Sequence, residues 1–313
     1  MGGYIARRLL STLLVMALVG VFIFLLLHLA PGDPAAIIAG DNASPAQIAK
    51  IRHQLGLDAP LVVQFVRWVW QILHGDFGIS IFSEAPVMEL IRQRLPATVA
   101  LTSTTIGFAA VLAVGAGVLA AWRAGGLLDR VLMGFAALGF SVPVFVVGYV
   151  LIYVCAIRLR WLPVQGYVPL SGGLWPWASH MILPSIALGL AYVALIARIT
   201  RASMLEVLNE DYMRTARAKG ASTGAMLLHH ALKNAGVPIV TVIGIGVALL
   251  ISGVVITETV FNIPGLGRLT VDAISNRDYP IIQGVIVVFS GAYVLVNLAV
   301  DLVYTLIDPR IRY

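Results

Sequence analysis

Polar and charged residues gather in one internal segment, Glu206–Asn234, which lies between two segments long enough to cross a lipid bilayer. The pattern predicts a short helix with Asn209 as its N-cap, a break at Gly220 and a second helix that Ser222 caps. Acidic residues begin the first helix and basic residues end it, which complements the helix dipole. Small residues leave little side-chain bulk near the break. We therefore expect this segment to dock into a groove on a partner protein; a solvated basic loop is the alternative.

The predicted docking surface comprises Asp211, Tyr212, Arg214, Thr215, Ala216, Arg217, Lys219, Gly220 and Ala221.

Motifs for catalysis or nucleotide binding are absent from the sequence. It contains no Gly-x-Ser-x-Gly, His-Glu-x-x-His or Gly-x-x-x-x-Gly-Lys-Ser/Thr pattern. None of its three lysines, Lys50, Lys219 and Lys233, lies in a phosphate-binding loop. The single cysteine, Cys155, excludes a disulfide within the chain, and no Cys/His spacing fits a metal site. The sequence therefore predicts no catalytic residue, no metal site and no bound cofactor, and an energy source outside this chain.

The composition places the elements around this segment in a membrane. Of the 313 residues 59% are apolar and 12% are charged, and the mean hydropathy is +0.93. A soluble chain of this length needs far more charge to cover its surface. We predict an all-α polytopic membrane protein with six spans. The predicted spans are Leu9–Leu29, Ala97–Trp122, Val131–Ile157, Met181–Ala197, Val237–Thr257 and Ile281–Ile307.

The distribution of basic residues predicts the orientation of these spans. With the N-terminus inside, 12 of the 21 Lys and Arg residues lie in inner segments. Of the other nine, five lie in the long first loop, so only four lie in short outer segments. Both termini and the 198–236 loop are therefore predicted to be cytoplasmic. The net charge of +6 then faces anionic lipid and cytoplasmic partners, and we predict no nucleic-acid partner.

The N-terminal apolar stretch is expected to be a retained helix, because it is longer than the apolar region of a signal peptide and no small-residue cleavage site follows.

Small residues and ionisable residues within the predicted spans indicate how the helices pack and whether transport is coupled to an ion. Small residues recur every fourth position on the second span (Ala109, Ala113, Gly117, Ala121) and on the fifth (Gly244, Ala248, Ser252), which predicts close helix packing. The ionisable residues His28, Glu258 and Asp301 lie toward span ends, and their roles are open at this stage. Neutral span centres argue against an ion-coupled secondary transporter, whose coupling sites lie near the membrane centre.

The first loop, Pro31–Leu95, is predicted to fold into helices. Ser44 and Gln47 form a capping-box pattern around Pro45, and Gly56 can end that helix. A second helix is predicted from Leu61 to His74, too short to span and expected to lie on the bundle or at the lipid interface. This loop either receives a substrate-delivery protein or caps the bundle.

Short motifs along the chain resemble one family. Aligned on Gly220, the polar segment is similar to the EAA motif of ABC-type importer permeases, with Arg214-Thr215-Ala216 in place of Glu-Ala-Ala and Lys233 in place of the motif's proline. These departures are similar to the peptide-importer branch, where DYMRTARAKG and HALKN fit the usual pattern. The matching segments are Asp211–Gly220, His230–Asn234, Leu29–Pro34 (LAPGDP), Phe261–Leu269 (FNIPGLGRL), Arg277–Pro280 (RDYP) and Asp308–Arg310 (DPR).

The resemblance to the dipeptide, oligopeptide and nickel importer permeases, and to the glutathione-importer permeases, implies a type I ABC importer permease fold. It implies an N-terminal region and first helix at 1–30, an extracytoplasmic helical region at 31–95, and a five-helix core at 96–313 with the coupling loop at 198–236. The resemblance implies that the docking surface is an ATPase-coupling helix. It also implies an extracytoplasmic loop motif that consists of Phe261, Asn262, Pro264, Gly265 and Gly267.

The resemblance also implies the partners. They are a second homologous permease, two ATP-binding cassette subunits that bind ATP and Mg, and an extracytoplasmic substrate-binding protein. The expected location is a bacterial inner membrane, and the expected cargo is a short peptide. A nickel chelate is the alternative cargo; an ion-coupled carrier or a membrane enzyme would each need a site that the sequence does not supply.

Overall fold

The computed structural model describes residues 2–29, 35–36, 44–54 and 57–307. Within these residues the regular structure is helical, apart from one isolated antiparallel bridge between Ile79 and Pro86. The fold class is therefore all-α, as predicted. Most of the Leu29–Pro34 motif, Gly56, the Asp308–Arg310 motif and the side chains of Arg7, Arg8 and His28 lie outside the described residues.

Twelve helical segments are used below. They are α1 (Gly2–Leu29), α2 (Pro45–Gln54), α3 (Leu61–Leu73), α4 (Val87–Trp122), α5 (Leu127–Ser141), α6 (Val144–Leu151, continued by a π-helix at Ile152–Arg158), α7 (Leu174–Leu208, preceded by a 3-10 turn at Leu170–Gly172), α8 (Asp211–Ala218), α9 (Thr223–Ala225, a π-helix at Met226–Ala231, and Leu232–Asn234), α10 (Gly236–Val260), α11 (Leu266–Ser275) and α12 (Tyr279–Ile307).

Three helices in the described part of the chain are long and apolar enough to cross a membrane, namely α4, α7 and α12 as far as Val303. Two bent helix pairs, α5 with α6 and α9 with α10, raise the number to five if each pair is one span. The first predicted span lies in α1, whose described apolar stretch is Leu13–Leu25. The total of six spans stays a prediction.

The third predicted span, Val131–Ile157, is wrong as a single straight helix. It is broken between Ser141 and Val144, and the two halves are bent by 105°. Val142 is extended, with φ −93° and ψ 127°, a conformation that a following proline favours, and Pro143 is the N-cap of the next helix. The fourth predicted span, Met181–Ala197, lies within α7, which begins at Leu174 and ends at Leu208.

One compact unit comprises Met1–Arg94 and Leu269–Val294. In it, the ring of Phe24 on α1 lies 5.3 Å from Phe65 and 5.9 Å from Trp68 on α3, so the short amphipathic helix packs on the first helix. The predicted capping box of α2 is confirmed: the Gln47 backbone N–H donates to Ser44 Oγ (3.3 Å), and the Ser44 N–H donates to Gln47 Oε1 (2.8 Å). Its buried Asp278 accepts a 2.5 Å hydrogen bond from Ser80.

The other unit comprises Leu95–Arg268 and Leu295–Tyr313 and contains the coupling segment. Its helices meet at glycines. A Cβ on Gly117 of α4 would lie 2.5 Å from the Cβ of Thr200 on α7, and a Cβ on Gly244 of α10 would lie 2.5 Å from Val300 Cγ2 on α12. These approaches confirm the packing role predicted for Gly117 and Gly244, because a larger residue would meet the facing helix there. The side chains of Ala248 and Ser252 lie outside the described residues.

Candidate functional site

The last turn of α7 leads directly into the predicted coupling segment. Asn209 closes α7: its backbone N–H donates to Glu206 O (3.2 Å) and its side-chain amide to Leu205 O (2.9 Å). The prediction that Asn209 caps the following helix is therefore wrong. Glu210 occupies that N-cap position with an extended backbone and without a capping side-chain bond. The amide of Asn209 instead satisfies a carbonyl that the end of α7 leaves open.

Helix α8 holds most of the predicted docking residues on its exposed side. Met213, 1% exposed, anchors it to the protein interior. Ala216 and Ala221 are half-buried, and the remaining docking residues are exposed: Asp211, Tyr212, Arg214, Thr215, Arg217, Lys219 and Gly220. The structure thus brings all nine predicted residues onto one short helix and its following turn.

The charges of α8 follow the predicted order, with Asp211 in its first turn and Arg217 in its last. Arg214 and Asp211 form an ion pair of 3.6 Å, but their side chains are 80% and 96% exposed. A pair so open to solvent contributes little to stability. These charges are therefore open to solvent and contribute little to holding the fold.

Gly220 makes the turn between α8 and α9. Its φ is +83°, and a Cβ there would have open space around it. The requirement for glycine is therefore in the backbone conformation and not in the space available. Ser222 then caps α9 by accepting a 3.3 Å hydrogen bond from the Ala225 backbone N–H, as predicted.

Tyr212 lies in the first turn of α8. Burial raises the pKa of the Tyr212 hydroxyl, the negative charge of Glu210 adds to the rise, and a hydrogen bond with the Asn234 side chain opposes it. A tyrosine with a raised pKa stays neutral at physiological pH.

A buried apolar cluster supports α8 from beneath. Met213 packs with Met204 of α7, Met226 of α9 and Ile239 of α10. The helix is therefore anchored to the long helices that precede and follow it in the chain.

A groove of about 620 Å³ opens beside α8. Its apolar residues come from α4, α7, α8, α9 and the turn at Ala221, and α8 also contributes two arginines. The lining is Ala121, Trp122, Leu205, Leu208, Asn209, Met213, Arg214, Arg217, Ala221, Thr223, Met226 and Leu227. The groove therefore combines apolar side chains with a basic edge.

An ion pair stabilises the part of α7 that precedes α8, and the sequence did not predict it. Arg201 donates two hydrogen bonds to Asp129 of α5, at 2.6 Å and 2.7 Å, and the Gly125 N–H donates a third at 2.9 Å. Asp129 is 4% exposed. Such a bidentate pair fixes the direction of both helices.

The second predicted group, the loop motif after α10, also comes together. Phe261, Gly265 and Gly267 are buried, whereas Pro264 is half-buried. Asn262 is exposed with φ +51°, and its side-chain oxygen accepts a hydrogen bond from Arg268. Within the described residues, no group of three His, Cys, Asp or Glu side chains is placed to hold a metal ion.

Two family models match the chain. One, described as "Binding-protein-dependent transport system inner membrane component", covers residues 113–313, and the N-terminal model of such membrane components covers residues 1–102. A relative from Sinorhizobium fredii named "Probable peptide ABC transporter permease protein y4tP" is 64% identical over the whole of both chains. The "Glutathione transport system permease protein GsiC" of Escherichia coli is 45% identical over 99% of both.

Among solved structures, a chain of the MetNI methionine ABC transporter in an inward facing conformation is similar in fold. It has a TM-score of 0.59 and 18% sequence identity, and the match covers 71% of this chain and 97% of that one. At this identity the likeness concerns the fold alone.

Proposed function

The chain belongs to the family of binding-protein-dependent transport system inner membrane components, and from this membership we propose that it is the permease subunit of an ATP-driven importer for short peptides. The observation that carries the proposal is the exposed helix α8, anchored by Met213 to the helices on either side of it. A subunit with this arrangement receives a mechanical input from a partner; it is not itself an enzyme.

The peptide cargo rests on two relatives. One is named a probable peptide permease and the other a glutathione permease, and glutathione is itself a short peptide. A nickel chelate is the alternative cargo, and transport assays with both distinguish the two.

The coupling role of α8 is supported by its shape and charge. Its exposed residues Tyr212, Thr215 and Lys219 recur at helical spacing, which presents one face to a partner. The adjacent groove offers a basic edge at Arg214 and Arg217. We propose that each of two ATPase subunits, which bind ATP and Mg, docks on one such surface, this chain supplying one and a second homologous permease the other.

The orientation follows from the basic residues. The excess of Lys and Arg on the α8 side supports our proposal that this side and both termini are in the cytoplasm of a bacterial cell, with the chain in the inner membrane. The loop at residues 261–268 then faces the extracytoplasmic side, where a substrate-binding protein delivers cargo.

Co-purification tests the partner assignment. The tagged native chain, extracted in mild detergent, is expected to bring down a second permease and P-loop ATPases. A chain recovered alone from several detergents would contradict the proposal.

Bulky substitutions test the coupling surface. Gly220→Trp, Ala216→Trp and Thr215→Trp are each expected to reduce peptide uptake by at least about tenfold without lowering the amount of protein in the membrane. Thr215 gives the sharpest test, because its side chain is exposed and a larger one does not disturb the interior. Leu228→Trp is the matched control, since Leu228 is 58% exposed on α9. Normal uptake by the Thr215 variant would refute the docking role.

A further inference from the structure

The carboxylate of Glu258, whose role the sequence left open, is completely buried in the last turn of α10. Its Oε1 accepts a 2.6 Å hydrogen bond from the Thr98 hydroxyl of α4, and its Oε2 accepts a 2.9 Å bond from the Arg268 backbone N–H. Thr98 Oγ in turn accepts from the Leu266 backbone N–H at 2.8 Å. Both carboxylate oxygens therefore act as acceptors, and Thr98 uses its hydroxyl as donor and acceptor at once.

The segment that these bonds hold is the FNIPGLGR loop, residues 261–268. A Cβ on Gly265 would overlap the Glu258 carboxylate, and a Cβ on Gly267 would lie 2.6 Å from the Val255 Cα. The two glycines of the motif thus allow the loop to close over the carboxylate. The Ile263 N–H also donates to the Glu258 backbone oxygen at 2.8 Å.

The FNIPGLGR loop enters the interior of its unit. Phe261 and Ile263, 2% and 0% exposed, join a buried cluster whose other members come from α4, α6 with its π-helix, α7 and α10. The loop before α7 is attached as well, because the Gly166 N–H donates to Phe261 O at 2.9 Å. One loop therefore fastens four helices at the end of α10 opposite to the coupling segment.

We propose that Glu258 and Thr98 are positioning residues that lock the FNIPGLGR loop and so hold the ends of α4, α6, α7 and α10 as one rigid block. Helix α10 has 25 residues, about 37 Å of rise, and its first residues lie next to the coupling segment. A displacement that begins at α8 moves the far end of the bundle only if the helices are tied there. The inference rests on the proposed importer function, because the block transmits what the ATPases supply.

The test uses two substitutions at one position in the full complex, reconstituted in lipid nanodiscs and proteoliposomes. Thr98→Val keeps the side-chain shape but removes both hydrogen bonds, whereas Thr98→Ser keeps both. We expect Thr98→Val to lower the peptide transported per ATP hydrolysed by about fivefold or more, with ATP hydrolysis within about twofold of wild type. Thr98→Ser is expected to stay within about twofold on both measures.

Cys155 gives a second readout that needs no cargo. It is the single cysteine of the chain, is partly buried and packs against the same cluster as Phe261 and Ile263. Loosening the FNIPGLGR loop is expected to raise its alkylation rate by a maleimide about tenfold in Thr98→Val but not in Thr98→Ser. A change in alkylation without a change in coupling, or the reverse, would overturn the proposal.

Unchanged coupling and unchanged alkylation in Thr98→Val would also overturn it. If that variant does not accumulate in the membrane, Glu258→Gln replaces it, because an amide still accepts one of the two hydrogen bonds and loses the other. Failure of both variants to accumulate would assign the pair to folding alone and reject the positioning role. Since the Cys155 measurement is independent of cargo, it tests the locking of the FNIPGLGR loop even if the peptide assignment fails.

Discussion

Replacing Gly117 with alanine tests whether α4 and α7 pack as closely as the structure places them. The new Cβ would lie 2.5 Å and 2.7 Å from two carbons of Thr200, and 2.8 Å from the backbone oxygen of Ala197. A backbone oxygen cannot rotate away as a side chain can, so the helices must separate. Forcing an extra methyl into such a contact costs about 1–3 kcal/mol.

Helix propensity acts in the opposite direction and must be controlled for. Alanine in place of glycine inside a helix stabilises by about 0.5–1 kcal/mol. Gly107 and Gly115 lie on the same helix, are exposed, and have no atom within 4 Å of a built Cβ. Gly107→Ala and Gly115→Ala therefore report the propensity gain alone, and their difference from Gly117→Ala isolates the packing cost.

The assay is the thermal unfolding midpoint of the purified complex in one detergent. At about 2 °C or slightly more per kcal/mol for a chain of this size, Gly117→Ala is expected to melt about 2–8 °C below the two controls. The controls are expected at or just above the wild-type midpoint. Equal midpoints for all three variants would show that the close approach at Gly117 does not exist in the native protein.

Two further predictions concern buried carboxylates. Ser80→Ala removes the donor of the 2.5 Å hydrogen bond to Asp278 and is expected to cost about 1–3 kcal/mol, measured by thermal unfolding, with faster proteolysis between residues 76 and 86. The exposed Ser83→Ala is its control, and equal cleavage of the two variants would contradict the assignment. Arg201→Met leaves the buried Asp129 carboxylate without its cationic partner and is expected to lower the free energy of unfolding by about 1–3 kcal/mol. Adding Asp129→Asn should recover part of that loss, and a double variant less stable than Arg201→Met would argue against a paired charge.

Features that depend on neighbours in sequence could be predicted. Small residues at every fourth position of α4 predicted a packing face, and Ala109, Ala113, Gly117 and Ala121 are all buried. The capping box at Ser44 and the glycine turn at Gly220 likewise need only a few adjacent residues. In each case one local requirement, such as close approach or a positive φ, restricts the residue type strongly.

The bend between α5 and α6 shows where hydropathy is insufficient. Residues 131–157 are apolar throughout, so two helices at 105° give the same pattern as one span. Pro143 alone does not identify the break, because Pro96 and Pro184 lie inside α4 and α7 without ending them. The difference is in the surrounding packing, which a single sequence does not reveal.

Contacts between residues far apart in the chain could not be predicted either, because they also depend on the packing of the folded protein. Glu258 and Thr98 are 160 positions apart, and Asp129 and Arg201 are 72 positions apart. Nothing near Glu258 indicates that its partner is a threonine on α4. The sequence located the FNIPGLGR loop as a motif but not the carboxylate that holds it.

The positions of the carboxylates bear on the source of energy for transport. Asp129, Glu258 and Asp278 each accept two or more hydrogen bonds from fixed donors at or next to a helix end. These hydrogen bonds hold the adjacent helix or loop in place, so the three carboxylates have structural roles in the described residues. We therefore expect a protonophore to leave ATP-driven peptide uptake into proteoliposomes unchanged, and ATP depletion to abolish it. Uptake that follows the proton gradient in the absence of ATP would refute the assignment of energy supply to partner ATPases.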